Sequence, residues 1–309
     1  MRNARLIRAR VLRGIALNRT PGLHFPANFL GIAFEHVTRR ATRLELEPGP
    51  WCRDAAGEID FGAFAILADL ALGAVIRANL ARRARLGTVA MSLQFTGAPR
   101  LGRLRAAGAF HGFFRGSTGR LGASSVAVRG EHGLLCFGTG TFMALDPPAH
   151  LKLHPVPHRA RRAPEPRLLR ESELDAAERA ILRRADAALR GKRDFISAFW
   201  GIHARGARGG GKGSLHNGLH VGNRVGHAQG GILIAFAAQT AAAALGKGWS
   251  LSGVSAAYVR PGQGPRLRAS SRIVHQGGLT AVVRTDIDGE GGRRVLEVLT
   301  THNAAARSP

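Results

Sequence analysis

Cysteine is nearly absent from this chain of 309 residues: only Cys52 and Cys136 occur, with no CxxC pair and no Cys/His cluster. That excludes a disulfide framework, leaves structural zinc without its usual ligands and points to a reducing compartment, the cytoplasm. Long apolar runs are also missing. The Ala-rich stretch from Gly230 to Leu245 falls short of the roughly 20 residues a membrane span needs. Acidic residues number 20 against 45 basic ones, for a net charge of +25, and lysine is confined to Lys152, Lys192, Lys212 and Lys247, so the excess is almost all arginine. Such an excess implies anionic partners, whether a phosphate-bearing cofactor or substrate, an acidic carrier protein or a nucleic acid. Specific nucleic-acid binding is not expected, because the arginines are scattered, aromatics make up only 6% and no nucleic-acid recognition motif is present. The pairs His216 with His220 and His154 with His158 have no nearby Cys, Asp or Glu to complete a ligand set, so no metal is expected.

What is present is a repeat. Asp54-Ala-Ala-Gly57-Glu-Ile-Asp60-Phe61-Gly62 and Asn223-Arg-Val-Gly226-His-Ala-Gln229-Gly230-Gly231 share one spacing, and each leads into an apolar helix. The chain therefore reads as two related units fused head to tail. The length suits two domains of about 150 residues, each with apolar content enough to close a core. The expected division is a first domain over 1–145, a crossover linker over 146–170 and a second domain over 171–309. Six prolines between Pro147 and Pro166 keep the linker out of regular structure.

In the first unit, Val37 to Leu46 alternates as a strand should. The apolar spacing from Gly62 then predicts an amphipathic helix to about Arg85, followed by strands over 88–96, 104–114, 121–129 and 134–145. In the second, an acidic first turn opens a helix from Glu171 to about Leu189, and Phe195 to Ala204 and Gly213 to Val221 read as strands. The helix from Gly231 to Leu245 precedes strands over 250–260, 266–275, 279–286 and 295–302. The Arg-rich start, Met1 to Arg13, admits two readings: a basic segment of the first domain, or an organelle-targeting helix.

The two copies differ where chemistry would sit. Asp69 in the first helix corresponds to Ala238 in the second, while Asn223, Gln229 and Gly230 correspond to Asp54, Asp60 and Phe61. Asp69 has Ala65, Ile66, Leu72 and Gly73 as its one-turn neighbours, so no basic residue on its own helix can pair with it. It is either a solvent-facing carboxylate at the helix edge or a functional one facing a second surface. An unpaired carboxylate in apolar surroundings raises its pKa or finds a partner elsewhere.

The pattern Asn-x-x-Gly-x-x-(His or Gln)-Gly-Gly, a helix, then a strand ending in Phe or Tyr-x-Arg-Pro, resembles the hotdog-fold acyl-CoA thioesterases of the phenylacetyl-CoA thioesterase type. The second unit supplies Asn223, Gly226, Gln229, Gly230, Gly231 and Tyr258-Val-Arg260-Pro261, and the first supplies Asp54, Gly57, Asp60, Gly62, Asp69 and Phe95-Thr-Gly-Ala. Gln229 stands where many relatives have His. The resemblance implies an α+β fold of two hotdog domains in tandem, with a continuous antiparallel β-sheet and two central helices packed on it. It also implies one composite site, in which Asp69 faces Asn223, Gln229 and Gly230. The mirror site, with Asp54, Asp60 and Phe61 against Ala238 and Gln239, is then dead or only shapes the substrate.

By the same resemblance, the catalytic residues are Asp69 as base or nucleophile, Asn223 and Gln229 as positioning groups, and the Gly230 N–H as oxyanion donor, while Gly231 contacts the substrate; Arg260, from its position at a strand end, is expected to meet the phosphates of coenzyme A. The expected substrate is an acyl-CoA or acyl-carrier thioester, with no cofactor. The fused halves form a pseudo-dimer that could assemble further. Two alternatives share the fold: a non-catalytic acyl-CoA-binding protein, and a hydratase or dehydratase, for which His227 beside Asn223 is the nearest approach to the needed His.

Overall fold

A computed structural model describes residues 2–19, 22–80, 84–116, 120–146 and 166–304. The first half runs α1 (Arg2–Arg19), α2 (Phe25–Leu30), β1 (Ala33–Val37), β2 (Ala41–Leu46), α3 (Phe61–Arg77), β3 (Arg85–Phe95), β4 (Leu104–Phe113), β5 (Leu121–Gly130) and β6 (Gly133–Leu145). The second half repeats that order as α4 (Ala176–Arg190), α5 (Phe195–Trp200), β7 (Ile202–Ala207), β8 (Gly210–His216), α6 (Gly230–Leu245), β9 (Trp249–Tyr258), β10 (Arg266–Gln276), β11 (Thr280–Asp288) and β12 (Arg294–Ala304). The repeat therefore begins earlier than the loop motif, at α1 and α4.

All twelve strands form one antiparallel sheet in the order β1-β2-β4-β5-β6-β3-β9-β12-β11-β10-β8-β7, which reads the same from either end when equivalent strands are matched. The halves join where β3 pairs with β9, from Ala90 opposite Ala257 to Gln94 opposite Gly253. The central helices α3 and α6 pack on the sheet and against each other. Their contact is close because the residues are small: a Cβ on Gly231 would lie 2.5 Å from the backbone of Ala65 and Ile66. Burial of Phe64, Leu67 and Val75 on α3 and of Ile232, Phe236 and Ala241 on α6 forms much of the core, and such burial is the main force holding a fold of this size together.

Each central helix starts at a capped loop of the same shape. Asp54 Oδ1 accepts from the amides of Ala56 and Glu58, and Asn223 Oδ1 from those of Val225 and His227. Gly57 and Gly226 occupy the left-handed region at φ 78° and 80°, where a side chain would be strained. Asp60 then accepts from Ala63 N, and Gln229 from Ile232 N, as N-caps.

The other helices tie the halves together. Phe29 of α2 lies 5.0 Å from Phe199 of α5, ring centre to ring centre, and meets Trp200 edge-on at 5.9 Å. From α1, Ile7, Val11 and Ile15 are buried, and its basic side chains reach α4: Arg8 pairs with Asp186 at 3.3 Å and Arg19 with Glu178 at 2.5 Å. The segment read as either a targeting helix or part of the first domain is thus the first helix of the fold.

Four boundaries differ from expectation. The strand over 37–46 is a hairpin, because the Thr38 hydroxyl accepts from the amides of Arg40 and Ala41 and turns the chain. The helix expected to reach Arg85 stops at Arg77, and the chain from Arg85 onward is strand β3. Phe195 to Trp200 is a helix rather than a strand: Asp194 caps it through Ser197 N, and Gly201 ends it at φ 68°. Strand β8 ends at His216 instead of continuing to Val221. The linker prolines from Pro147 to Pro164 lie outside the described residues.

Candidate active site

Asp69 lies a little over two turns into α3, on the face turned toward the start of α6. Gln229 does two things with one side chain: its Oε1 accepts from Ile232 N at 3.0 Å to cap α6, and its Nε2 donates to Asp69 Oδ2 at 2.6 Å. The other carboxylate oxygen accepts from the Thr88 hydroxyl of β3 at 3.2 Å. Asp69 is 9% exposed, and burial pushes its pKa up to about 7 against the opposing effect of the Thr88 hydrogen bond. The carboxyl group therefore changes charge near neutral pH. Asp69 is thus buried against the start of α6 rather than facing solvent.

Gly230 follows immediately. A Cβ there would sit 3.0 Å from Asp69 Oδ1 and 3.2 Å from Oδ2, so a side chain would press on the carboxylate. As the first residue of α6, Gly230 has a backbone N–H without an intrahelical acceptor, at the positive end of the helix dipole. Its carbonyl accepts from the hydroxyl of Tyr258, the chain's one tyrosine, at 2.9 Å. Burial first, and the nearby Asp69 carboxylate second, hold that phenol well above its ordinary pKa, so it stays a donor.

These groups open on a cavity of about 480 Å³ lined from both halves. Asp69, Thr88, Gln229, Gly230 and Tyr258 stand at one part of its wall. Asn223 lines it too, but its side-chain oxygen is taken up by the loop amides of Val225 and His227. Its observed part is to hold the loop that presents Gln229. Gly231 is turned away: it lies against the backbone of Ala65 and Ile66 at the helix contact, which explains the glycine without a substrate. Arg260 lines the cavity as an exposed residue and donates to the Arg294 carbonyl at 3.4 Å. The His227 ring pairs with Gln263 at 2.8 Å.

Sequence reasoning assigned no role to Thr88 or to Tyr258, although each touches the Asp69–Gly230 constellation. Tyr258 carried a signal, being the single tyrosine at the end of the motif strand. Thr88 carried none, since a threonine near a strand end is ordinary.

At the mirror position the same backbone holds a different arrangement. Asp60 stands where Gln229 does, and its Oδ1 accepts from Ala63 N at 3.1 Å and from Trp200 Nε1 at 2.8 Å. Burial pushes Asp60 up to about 6 despite those two donors. Phe61 replaces Gly230 and packs on Phe64 and Phe95, with ring centres 6.1 and 5.4 Å away. Ala238 replaces the carboxylate, and Asp54 is paired with Arg100 at 3.2 Å. Where Gly230 sits against a carboxylate, Phe61 sits among aromatic rings.

No family model and no curated protein matches the chain. Solved structures do. The chain is similar to a 12:0-ACP thioesterase from Umbellularia californica, at 12% identity over 85% of this chain and 94% of that one, with a TM-score of 0.52. It is also similar to the tesB protein MAP1729c of Mycobacterium avium subs paratuberculosis, at 15% identity over 88% and 95%, with a TM-score of 0.50. A third is a conserved protein with a hot dog fold from Alicyclobacillus acidocaldarius, at 8% identity over 90% and 96%, with a TM-score of 0.53. Identities this low speak to the backbone alone. With its palindromic twelve-stranded sheet and paired central helices, the chain has the tandem hotdog fold.

Proposed function

We propose that the protein is an acyl-CoA thioesterase, hydrolysing an acyl-CoA thioester to free acid and CoA at one composite site between its halves. The observation that carries this reading is the 2.6 Å hydrogen bond from Gln229 of the second half to Asp69 of the first, beside Gly230 and at the wall of a cavity. A thioester carbonyl gathers negative charge on oxygen as it is attacked. The Gly230 N–H, fixed before the reaction, is a donor for that oxyanion, and such donors are worth about 100- to 1000-fold in turnover.

Asp69 is the general base on the attacking water. A base is most effective when its pKa lies near the working pH, and burial brings Asp69 to about 7. Gln229 orients the carboxylate, and Tyr258 steadies the first turn of α6 through the Gly230 carbonyl. Asn223 holds the loop, and Arg260 at the cavity rim is placed for a phosphate of the carrier. The units are 1–145 and 171–309, joined by the crossover at 146–170, and the mirror site is inactive because Phe61 fills it.

The test is release of free thiol from a panel of short, long and aryl acyl-CoA thioesters, with the D69N protein as control. Turnover by wild type and its loss in D69N supports the proposal. Equal inertness of both across the panel, with acyl-CoA still bound, would replace it by the non-catalytic binding reading.

A further inference from the structure

Charge is paired near one edge of the sheet and unpaired near the other. In the first half, Arg105 of β4 lies opposite Glu45 of β2, and the two form an ion pair at 2.7 Å. Arg103, just before β4, pairs with Glu47 at 2.5 Å. The equivalent strands of the second half are β10 and β8. There Arg268 lies opposite Ser214 and Arg266 opposite His216, so the arginines recur and the acids do not.

Strand register gathers more basic groups on the same face. Ser270 lies opposite Lys212, and Lys212 opposite Arg205 of β7, while Arg272 follows Ser270 two residues on; opposed and alternate residues share a face. Leu267, Ala269 and Ser271 between them are buried on the side of α6, so Arg205, Lys212, Arg266, Arg268 and Arg272 stand on the outer face, all exposed. Lys212 donates to the neutral Ser270 hydroxyl at 2.8 Å. The acids across from β10 are Asp286 and Asp288 of β11, and Arg294 holds both, at 3.1 and 2.8 Å. Among the described residues, none of the five basic side chains forms an ion pair.

The patch runs about 20 Å along β10 and about 10 Å across three strands, the footprint of one α-helix. One end adjoins the cavity. Asn217, beside His216, donates to the carbonyls of Gly262 and Gly264 at 3.2 and 3.1 Å, and Arg260, Pro261 and Gly262 line the cavity. Building on the thioesterase reading, we propose that this face docks an acidic helix of a protein that carries the acyl thioester, whose arm enters the cavity past Arg260. Like charges held side by side on a rigid sheet repel, and acids one turn apart on a partner helix relieve that repulsion at several points. Anionic membrane or nucleic acid would be drawn by the same charge, but neither accounts for a patch that ends at the cavity.

Decanoyl acyl carrier protein, which is acidic and helical, is compared with decanoyl-CoA in the thiol-release assay. The decisive variant writes the first edge into the second: Ser214→Glu with His216→Glu gives Arg268 and Arg266 the partners that Arg105 and Arg103 have. It is expected to raise KM for the carrier-protein ester by about 10- to 100-fold with kcat kept, and to leave decanoyl-CoA kinetics within about twofold. Arg266→Gln with Arg268→Gln is expected to do the same and is the variant to read if the Glu pair folds poorly. In wild type the carrier-protein KM should rise with salt. Arg2→Gln with Arg5→Gln, on α1, makes the same change in net charge outside the patch and is expected to spare both esters; a loss as large as that of the Glu pair would overturn the proposal. So would an equal loss on decanoyl-CoA, or anionic vesicles or duplex DNA released by the Glu pair while carrier-protein binding stays. Calorimetric titration of the D69N protein with decanoyl acyl carrier protein reads docking without turnover, so failure of hydrolysis and failure of docking are told apart.

Discussion

The two halves share a loop, a cap and a central helix almost residue for residue, yet only one of the two helix starts is open. At Gly230 the missing side chain lets the helix start sit directly against a carboxylate from the other half; at Phe61 the ring packs on Phe64 and Phe95, and the capping acid is bound to Trp200. The difference shows one backbone geometry repeated with different side chains at the helix start. The pairing of β3 with β9 joins the two halves in one sheet.

Exchanging residues between the halves is the direct way to break this comparison. The largest effect is expected from Asp69→Asn, which removes the base and should lower turnover by about 100- to 10,000-fold in the thiol-release assay. The same change should make the protein more stable at and above neutral pH. Asp69 is held well above the usual carboxylate range, so the folded state keeps a proton that the unfolded chain gives up. Stability therefore falls as pH rises from about 4 to about 7, by up to about 4 kcal/mol for a shift of this size. In D69N that contribution is gone, and the remaining decline, from Asp60, ends near pH 6. A thermal unfolding series across pH checks it.

Gly230→Phe, which copies Phe61 into the open site, is expected to lower kcat by about 100- to 1000-fold with the circular dichroism spectrum kept. Persisting turnover would show that the substrate does not use the space beside Gly230. Gln229→Asp, the residue of the closed half, would set a second acid close to Asp69, a methylene short of the present 2.6 Å contact. A neighbouring carboxylate disfavours ionisation of Asp69, so the rise of kcat/KM with pH should move to higher pH. The smallest effect belongs to Tyr258→Phe, matching Phe95: loss of one hydrogen bond to the Gly230 carbonyl costs about 1 kcal/mol, about fivefold in kcat.

Much of this was legible before the coordinates, for a physical reason. A loop that caps a helix with a polar side chain and turns through a left-handed glycine constrains residue types at fixed spacing, so Asp54-Gly57-Asp60 and Asn223-Gly226-Gln229 revealed the repeat. The meander strands followed from alternation. Asp69 stood out because nothing on its own helix could neutralise it. The α5 helix was hidden, since Phe195-Ile-Ser-Ala-Phe-Trp200 has strand composition and only its ends, Asp194 and Gly201, declare a helix. Gly231 pointed to a ligand but answers to α3, because a glycine required by close packing looks in sequence like one required by a substrate.

The most direct test of a carboxylate poised by the opposite half is the pH dependence of kcat/KM for thioester hydrolysis in wild type and in Gln229→Asp. The account predicts a single rise through about pH 7 in wild type, displaced upward in the variant and missing from D69N. A wild-type profile that is flat across that range, or one that Gln229→Asp leaves in place, would contradict it.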